Sequence, residues 1–408
     1  MPQNTPKGFR LHIGIFGRRN VGKSSLLNAI TRQQVSIVSD TAGTTTDPVE
    51  KPMELLPLGP VLFIDTAGID DAGDLGELRV SRTRQVFDRT DMGVIVTDCK
   101  WEEFEERTLS ELQKRSVPVV VVFNKMDLCS PPPQAQDGLE RRKIPFVRVA
   151  AKTGEGVLQF RQLLLDHAPQ DFIENPVIAG DLVGPGEVAV LVVPIDKEAP
   201  KGRLILPQVQ AIRDLLDSNA MAMVVKDTEL RSALGLLSRA PKLVVTDSQA
   251  FEKVVADTPR DIPLTSFSIL FARFKGDLAI QTEGAMAIKR LKPGDRVLIA
   301  EACSHHPISD DIGRVKIPRW MEKSVGGKLI FDVAQGRDFP ANLSSYSLVI
   351  HCGACMWNRR SMLSRLLECR RSGVPVTNYG LAIALSLGIL ERALSPFPEA
   401  LKVYRDGK

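Results

Sequence analysis

The segment from residue 17 to residue 24 combines two glycines, a lysine and a hydroxyl in one short turn. Its sequence, Gly-Arg-Arg-Asn-Val-Gly-Lys-Ser, places Gly17, Gly22, Lys23 and Ser24 at the spacing of a phosphate-binding loop. Glycines let backbone N–H groups approach phosphate oxygens, and the dipole of a following helix favours bound anions. We expect Lys23 to contact the β- and γ-phosphates, Ser24 to ligate Mg²⁺, and Ser25 to open the helix.

Three later polar segments fit the same nucleotide site. Asp65-Thr66-Ala67-Gly68 supplies a carboxylate that can hold Mg²⁺ through water. Asn124-Lys125-Met126-Asp127 supplies Asp127, whose two oxygens can accept the N1–H and N2–H₂ donors of guanine, while the Lys125 stem packs along the base. Ala150-Ala151-Lys152 stands where a loop that closes over the base belongs. These segments follow apolar strands predicted at residues 61–64, 119–123 and 146–149.

Cysteine and histidine residues gather in the last third of the chain. The protein has six cysteines and five histidines, and three of each fall within residues 303–355: Cys303, His305, His306, His351, Cys352 and Cys355. Six cysteines in 408 residues are too few for a disulfide scaffold, so we expect free, catalytic or metal-bound thiols. Both groups follow predicted strands, at 296–300 and 348–350, and the carboxyl ends of parallel strands meet at one edge of a sheet.

Three converging cysteines are compatible with two kinds of metal site. A structural Zn²⁺ would be closed and tetrahedral, with three cysteines and either His305 or His351. A [4Fe–4S] cluster on Cys303, Cys352 and Cys355 would leave one iron open to a histidine, to water or to an incoming ligand. Composition alone favours zinc, because zinc sites with three cysteines and one histidine are common.

The elements that carry these residues predict an α/β protein of several domains. Short apolar runs alternate with amphipathic stretches, which is typical of parallel sheets. Segments rich in proline and glycine divide the chain into residues 1–170, 171–260 and 261–408. We therefore predict a P-loop nucleotide-binding domain followed by two smaller α/β domains with parallel sheets. Residues 262–408 carry 21 Lys and Arg against 13 Asp and Glu, an excess that can attract an anionic ligand, an acidic partner or nucleic acid.

The first domain resembles the Era/TrmE-like GTPases over about residues 11–167. The resemblance rests on the segments above together with Gly43-Thr44-Thr45-Thr46-Asp47. It implies that Thr45 completes the Mg²⁺ shell and that Gly68 contributes to catalysis. Ile69 stands where Ras-like enzymes place a water-orienting glutamine, and the resemblance implies that K⁺ held by Asn20 and a water positioned by Glu77 take over that role.

The whole chain resembles the hydrogen maturase F (HydF) family, the GTPase scaffolds of [FeFe]-hydrogenase maturation. The resemblance rests on the order of a GTPase, a small α/β block and a block with Cys-x-His and His-Cys-x-x-Cys. It implies that three cysteines hold a [4Fe–4S] cluster with His305 and His351 near the open iron, and that the middle block forms a homodimer. It further implies partnership with two radical-SAM maturation enzymes and delivery of a binuclear iron precursor to apo-hydrogenase.

Two other functions compete with this interpretation. One is an RNA-associated Era/TrmE-like GTPase with a structural zinc site, and the other is a signalling GTPase with a structural metal. No G-x-x-G loop of a KH domain and no RRM aromatic motif occurs in the sequence, so nucleic acid is not an expected partner. The longest apolar runs are far shorter than a membrane span, and residues 1–10 do not resemble a secretory signal, so we expect a cytoplasmic protein.

Overall fold

The computed structural model of the chain divides into two compact units, residues 1–175 and 176–408. It describes residues 5–32, 49–55, 58–66, 84–169, 177–195, 204–302, 311–340 and 342–408. Some of the predicted site residues lie outside these ranges: Thr45, Gly68, Glu77, Cys303, His305 and His306.

The first unit contains a six-stranded sheet of order β2-β3-β1-β4-β5-β6, in which only the β2–β3 pair is antiparallel. Its strands are β1 (Leu11–Phe16), β2 (Val49–Leu55), β3 (Gly59–Asp65), β4 (Met92–Asp98), β5 (Val119–Asn124) and β6 (Phe146–Arg148). Its helices span Lys23–Arg32, Glu103–Lys114, Pro133–Arg141 and Val157–Asp166, residues 84–89 are also helical, and a 3₁₀ turn covers Lys7–Phe9.

The sequence of each strand accounts for its place in this sheet. β1 and β5 are buried along their whole length, as expected for parallel strands covered by helices on both faces. Two separate clusters of apolar side chains pack against the two faces of the sheet. β2 contains Pro52, which cannot donate to a ladder, and β2 accordingly lies at the edge.

The second unit contains two four-stranded sheets in which every strand pair is parallel. The first has the order β10-β9-β7-β8 and consists of β7 (Val188–Val192), β8 (Met221–Val225), β9 (Leu243–Thr246) and β10 (Leu264–Ser266). The second has the order β12-β11-β13-β14 and consists of β11 (Arg296–Glu301), β12 (Ile330–Gln335), β13 (Leu348–His351) and β14 (Val376–Asn378).

Helices connect and cover these two sheets. They span Gly180–Val183, Leu206–Asp217, Leu230–Leu236, Phe251–Asp257, Phe267–Lys275, Leu278–Met286, Ile317–Val325, Arg359–Arg371, Tyr379–Ser386, Leu390–Ala393 and Pro398–Asp406. Shorter turns cover Ser248–Ala250, Ala287–Arg290, Ile312–Lys316 and Leu343–Ser345. Within the described ranges, every helix is too short or too polar to cross a bilayer.

The predicted fold class is confirmed, and the differences are local. The mostly apolar run over residues 328–333 predicts a strand there, but β12 begins at Ile330 and ends at Gln335, because Gly326 and Gly327 first turn the chain. The short strand β10 pairs with β9, so the sheet of the middle block continues past residue 260. The expectation of unpaired thiols is wrong for Cys99 and Cys129, which form a disulfide with Cα atoms 6.0 Å apart.

Candidate nucleotide and metal sites

The phosphate loop lies between the end of β1 and the helix that begins at Lys23. Gly17 has a φ of +155°, and a Cβ there would lie 2.2 Å from the carbonyl oxygen of Val96. Gly22 has a φ of +95°, and a Cβ there would lie 2.2 Å from Nδ2 of Asn124. Only glycine therefore fits at these two positions. The geometry brings the loop against β4 and against the end of β5.

The side chains that would contact phosphate and Mg²⁺ point into this loop. The ammonium of Lys23 is buried and donates to the carbonyl oxygens of Gly17 and, at 3.0 Å, of Arg18. The Ser24 hydroxyl donates to a carboxylate oxygen of Asp65 at 2.9 Å. A hydroxyl and a carboxylate in contact are the oxygen ligands that Mg²⁺ prefers, and two of the predicted magnesium residues, Ser24 and Asp65, provide them.

Two further loop residues are available to ligands. Asn20 is exposed and has a φ of +65°, a left-handed conformation that asparagine tolerates better than most residues. Ser25 is exposed in the first turn of the helix.

The base-recognition segment is tied to the phosphate loop by Asn124. Its Nδ2 donates to the carbonyl oxygen of Val21 at 2.8 Å, and its Oδ1 accepts the N–H of Ala151 at 3.1 Å. Lys125 has a φ of +62° and forms an ion pair of 3.1 Å with Asp98. One buried amide therefore connects three of the predicted segments.

Asp127 and Lys152, the remaining predicted base contacts, are exposed beside this segment. The disulfide Cys99–Cys129 joins the residue after Asp98 to a residue two positions beyond Asp127. Cys99 has a φ of +35°, and the Sγ of Cys129 lies 3.7 Å from the carbonyl oxygen of Lys125. The covalent link and the Lys125–Asp98 ion pair thus fix the same loop. No sequence motif marks this pair, since the two cysteines are 30 residues apart.

The Cys-x-x-C loop follows β13 at the carboxyl edge of its sheet. The N–H of Cys352 donates to the carbonyl oxygen of Ala300 at 2.9 Å, and the N–H of Ala302 donates to Sγ of Cys352 at 3.1 Å. Ala302 directly precedes Cys303 in the sequence. The sequence predicts that the ends of β11 and β13 converge, and they do so as far as Ala302, the last described residue before Cys303.

Cys352 and Cys355 are both half-buried, and the loop between them contains Ala354 at a φ of +47°. Burial raises the pKa of Cys352 to about 11, although N–H donors from Ala302 and Ala354 favour its thiolate. Among the described residues, no three side chains of His, Cys, Asp or Glu gather closely enough to hold a metal ion. Cys369 is fully buried among apolar side chains of the same sheet.

His351 is fully buried and its ring contacts protein groups at both nitrogens. Nδ1 lies 2.9 Å from the carbonyl oxygen of Cys352, and Nε2 lies 2.9 Å from NH1 of Arg365. Because the guanidinium only donates, Nε2 accepts, and Nδ1 carries the proton. Burial, followed by the charge of Arg365, lowers the pKa of His351 to about 3. In this arrangement the imidazole is neutral, and it can ligate iron only if one of these contacts breaks.

Two buried cations beside this loop were missed by sequence reasoning. Arg365 also donates to the carbonyl oxygen of Gly336 at 2.7 Å and lies 4.2 Å from the ring centroid of Trp357. Lys275 donates to three carbonyl oxygens of residues 354–357. No motif marks either residue, because Lys275 is 79 residues from Ala354 in the chain.

Comparisons with known proteins cover the chain in three parts. The hydrogen maturase F dimerization domain matches residues 178–276, and the hydrogen maturase F tetramerization domain matches residues 279–396. The 50S ribosome-binding GTPase model matches residues 12–125. The two hydrogen maturase F matches together span just over half of the 408 residues.

Two curated relatives each match 38% of the chain. GTPase Der of Wolinella succinogenes is 35% identical over 166 residues, which are 38% of this chain and 35% of that protein. The tRNA modification GTPase MnmE of Chromobacterium violaceum is 36% identical over 158 residues, 38% of this chain and 34% of that protein. The chain thus spans about a third of the length of these relatives. The G domain of the T. maritima FeoB iron transporter is similar at 20% identity and a TM-score of 0.32, over 39% of this chain and 99% of that one.

Proposed function

This chain belongs to the hydrogen maturase F family, and from that premise we propose that it is a GTP-hydrolysing scaffold of [FeFe]-hydrogenase maturation. In this proposal Cys303, Cys352 and Cys355 hold a [4Fe–4S] cluster. The chain receives a binuclear iron precursor made with radical-SAM maturation enzymes and delivers it to apo-[FeFe]-hydrogenase in the cytoplasm.

One observation supports the cluster site most strongly. The sulfur of Cys352 accepts the N–H of Ala302, the residue that precedes Cys303. N–H donors to sulfur are among the protein groups that stabilise and tune cysteine-held clusters. Three cysteines suit a carrier better than a closed zinc site does, because a carrier must bind and release its cargo. When bound, such a cluster supplies one iron with an exchangeable position.

In the same proposal the first unit binds and hydrolyses GTP. Lys23 binds the β- and γ-phosphates, Ser24 and Asp65 hold Mg²⁺ with Thr45, and Asp127 reads guanine. Asn20 holds K⁺, which compensates for the missing glutamine, and Glu77 with Gly68 positions the attacking water. The support is the Ser24–Asp65 contact together with the exposed side chain of Asn20.

The potassium step has its own test. We expect GTP hydrolysis to be faster in K⁺ than in Na⁺ at equal ionic strength, and Asn20→Ala to abolish the difference. Lys23→Ala should remove hydrolysis in both salts, which controls for contaminating activity. Equal rates of the wild type in the two salts would contradict a potassium site.

The cluster has a spectroscopic test. Protein purified without oxygen should be brown, contain about four iron and four sulfide per chain, and give an electron paramagnetic resonance signal after reduction. Replacing Cys352 or Cys355 by serine should remove iron and sulfide together, whereas Cys369→Ser should retain them. A colourless protein with one zinc per chain would reject the scaffold function and favour the structural-zinc alternative.

The proposal also includes a homodimer, supported by the match to the dimerization domain over residues 178–276. β8 is an edge strand of the sheet in this region, and Met221 and Val224 on it are exposed. Edge strands with exposed apolar side chains are sites where a second copy can pair. We place the dimer contact at β8.

A further inference from the structure

We propose that Lys275 is the positioning residue of the Cys-x-x-C loop: its ammonium fixes the loop that carries Cys352 and Cys355, and its charge favours the anionic group that these thiolates hold. The electrostatic role rests on the proposed cluster. The positioning role concerns the thiolate site with any metal.

The first step is the placement of the ammonium. Lys275 is the last residue of the helix Phe267–Lys275 and is 1% exposed. Its Nζ donates to the carbonyl oxygens of Ala354 at 3.1 Å, Cys355 at 2.9 Å and Trp357. An ammonium has three N–H donors, so these contacts can use all of them. A buried cation is costly unless its donors are satisfied, and here the loop backbone satisfies them.

The second step is the shape of the loop. Ala354 is in the left-handed region, which is strained for a residue with a Cβ. Its N–H is a hydrogen-bond donor to the thiol of Cys352, and its carbonyl accepts from Lys275 and from the N–H of Trp357. The ammonium therefore supports the conformation in which the loop presents an N–H to a ligand sulfur.

The third step is the exit from the loop. Asn358 caps the helix Arg359–Arg371 by accepting the N–H of Ser361 at 3.3 Å. The Lys275 contact to Trp357 fixes the residue just before this cap. The loop is thus held at one end by the β13 ladder, at the other by a capped helix, and in the middle by Lys275.

The fourth step is charge. Thiolates and the iron–sulfur or divalent-metal groups they hold carry net negative charge when three sulfurs share one centre. Arg314, one of the cations nearest in sequence to Cys303, forms an ion pair of 2.8 Å with the buried Glu301, so its charge is largely compensated. Lys275 donates to the carbonyl oxygens of Ala354 and Cys355 at 3.1 Å and 2.9 Å, so its positive charge lies beside the loop that carries the sulfurs. A positive charge at this position favours the thiolates and the anionic group that they hold.

Cobalt(II) titration tests the positioning role without reference to iron. Bound Co²⁺ gives a thiolate charge-transfer absorption, so the absorption reports metal binding by these cysteines whether the native cofactor is a cluster or zinc. In full-length, metal-free protein we expect Lys275→Met to weaken Co²⁺ binding roughly 10- to 100-fold, the usual effect of losing a supporting group behind a ligand. Lys323→Met removes an exposed lysine of the same unit and should change binding by less than about twofold.

A second variant separates charge from support. Lys275→Gln keeps two N–H donors for the carbonyls and removes only the charge. We expect this variant to assemble a cluster whose one-electron reduction is disfavoured about tenfold, a shift of about 59 mV to more negative potential. The shift would be read by redox titration of the paramagnetic resonance signal. The same variant remains measurable if Lys275→Met does not fold.

Each outcome decides a different claim. Unchanged Co²⁺ affinity in a folded Lys275→Met protein would overturn the positioning role, and an unchanged potential in Lys275→Gln would overturn the electrostatic role. Wild-type protein that binds Co²⁺ but assembles no cluster would reject the scaffold function, while the cobalt series still decides on Lys275. Wild-type protein that binds neither would overturn both.

Discussion

At the scale of single residues, we expect Asn124 to contribute to both the stability and the affinity of the candidate nucleotide site. Its buried amide joins Val21 in the phosphate loop to Ala151 in the base loop. We expect Asn124→Ala to lower the free energy of unfolding by about 2 kcal/mol, because two backbone groups lose their partner. GTP binding should weaken in the same variant, as measured by titration calorimetry.

Asp127 follows Asn124 in the same segment but is exposed, so its replacement should affect nucleotide binding without affecting stability. Asp127→Asn should leave stability within about 0.5 kcal/mol of the wild type, because the side chain is on the surface. It should reduce the preference for guanine nucleotides, because an amide cannot accept both guanine donors. If Asn124→Ala instead behaves like Asp127→Asn, with stability unchanged, the amide bridge is not structural.

Removal of Arg365 should disturb the Cys-x-x-C loop through His351. It contacts Nε2 of His351 at 2.9 Å and lies over the rings of Trp357 and Phe339, at 4.2 Å and 4.5 Å. We expect Arg365→Met to lower the free energy of unfolding by about 3 kcal/mol, through one unpaired imidazole nitrogen and two lost cation–π contacts.

Calorimetric unfolding of the full chain measures this effect, and Arg370→Met is the matched control. Arg370 lies on the same helix and is exposed, so the same replacement there should have little effect. Equal melting temperatures for the two variants would show that the buried guanidinium does not stabilise the loop.

At the scale of structural elements, the disulfide Cys99–Cys129 should stabilise the first unit. It closes a segment of 30 residues, for which the loss of chain entropy in the unfolded state corresponds to about 3–4 kcal/mol. We expect Cys99→Ser to lower the unfolding transition of oxidised protein, and the difference from the wild type to vanish in dithiothreitol. Thiol titration of the denatured, non-reduced wild type gives the independent check: six reactive thiols would contradict the pair.

Glu50 adds side-chain ion pairs to the backbone pairing of the edge strand β2 with β3. Burial would raise the pKa of this carboxyl, but Arg89 and Lys7, which both contact it, outweigh burial and hold the pKa at about 2. A carboxyl whose pKa falls on folding stabilises the folded state above its unfolded pKa. That contribution disappears as the pH falls from about 4 through about 2.

Glu50→Gln should therefore be less stable than the wild type by about 2 kcal/mol at neutral pH, and equally stable near pH 2. Urea unfolding across this pH range measures the difference. Glu54→Gln, at an exposed position of the same strand, is the control that should show little change at either pH. A difference that persists at the lowest pH would contradict the ion-pair explanation.

At the scale of the whole molecule, the dimer should depend on the free edge of β8. The N–H of Met221 donates to Glu187, and the carbonyl of Val225 accepts from Val193, so alternate residues of β8 pair with the neighbouring chain segment. The backbone groups of Val224 point the other way, toward the open edge. Val224→Pro should remove an edge donor and spare the internal ladder.

We expect sedimentation equilibrium to show a dimer for the wild type and mostly monomer for Val224→Pro at micromolar concentration. Leu236→Lys replaces an apolar side chain that is 81% exposed on the helix Leu230–Leu236, outside β8, and this variant should remain dimeric. Dimers of both variants would place the contact elsewhere on the chain.

The sequence by itself determined the fold class, most strand positions and the nucleotide segments. These signals are local: an apolar run predicts a buried strand, and Gly-x-x-x-x-Gly-Lys-Ser specifies its own turn and helix start. The strands β2, β4, β10 and β14 were not predicted. Three of them, β2, β10 and β14, are short or interrupted by polar residues and are recognisable only beside their partners.

Tertiary structure alone decided which distant residues support the two sites. Three sets of contacts join residues 14 to 82 positions apart. They are the hydrogen bonds from Lys275 to three carbonyl oxygens, the contact of the Arg365 guanidinium with His351, and the disulfide Cys99–Cys129. No periodicity or motif marks such contacts, because hydrogen bonds, charge contacts and disulfides depend on distance in space. Spacing along the chain could therefore identify the candidate ligands, and only the packing of helices against strand ends could show what holds them.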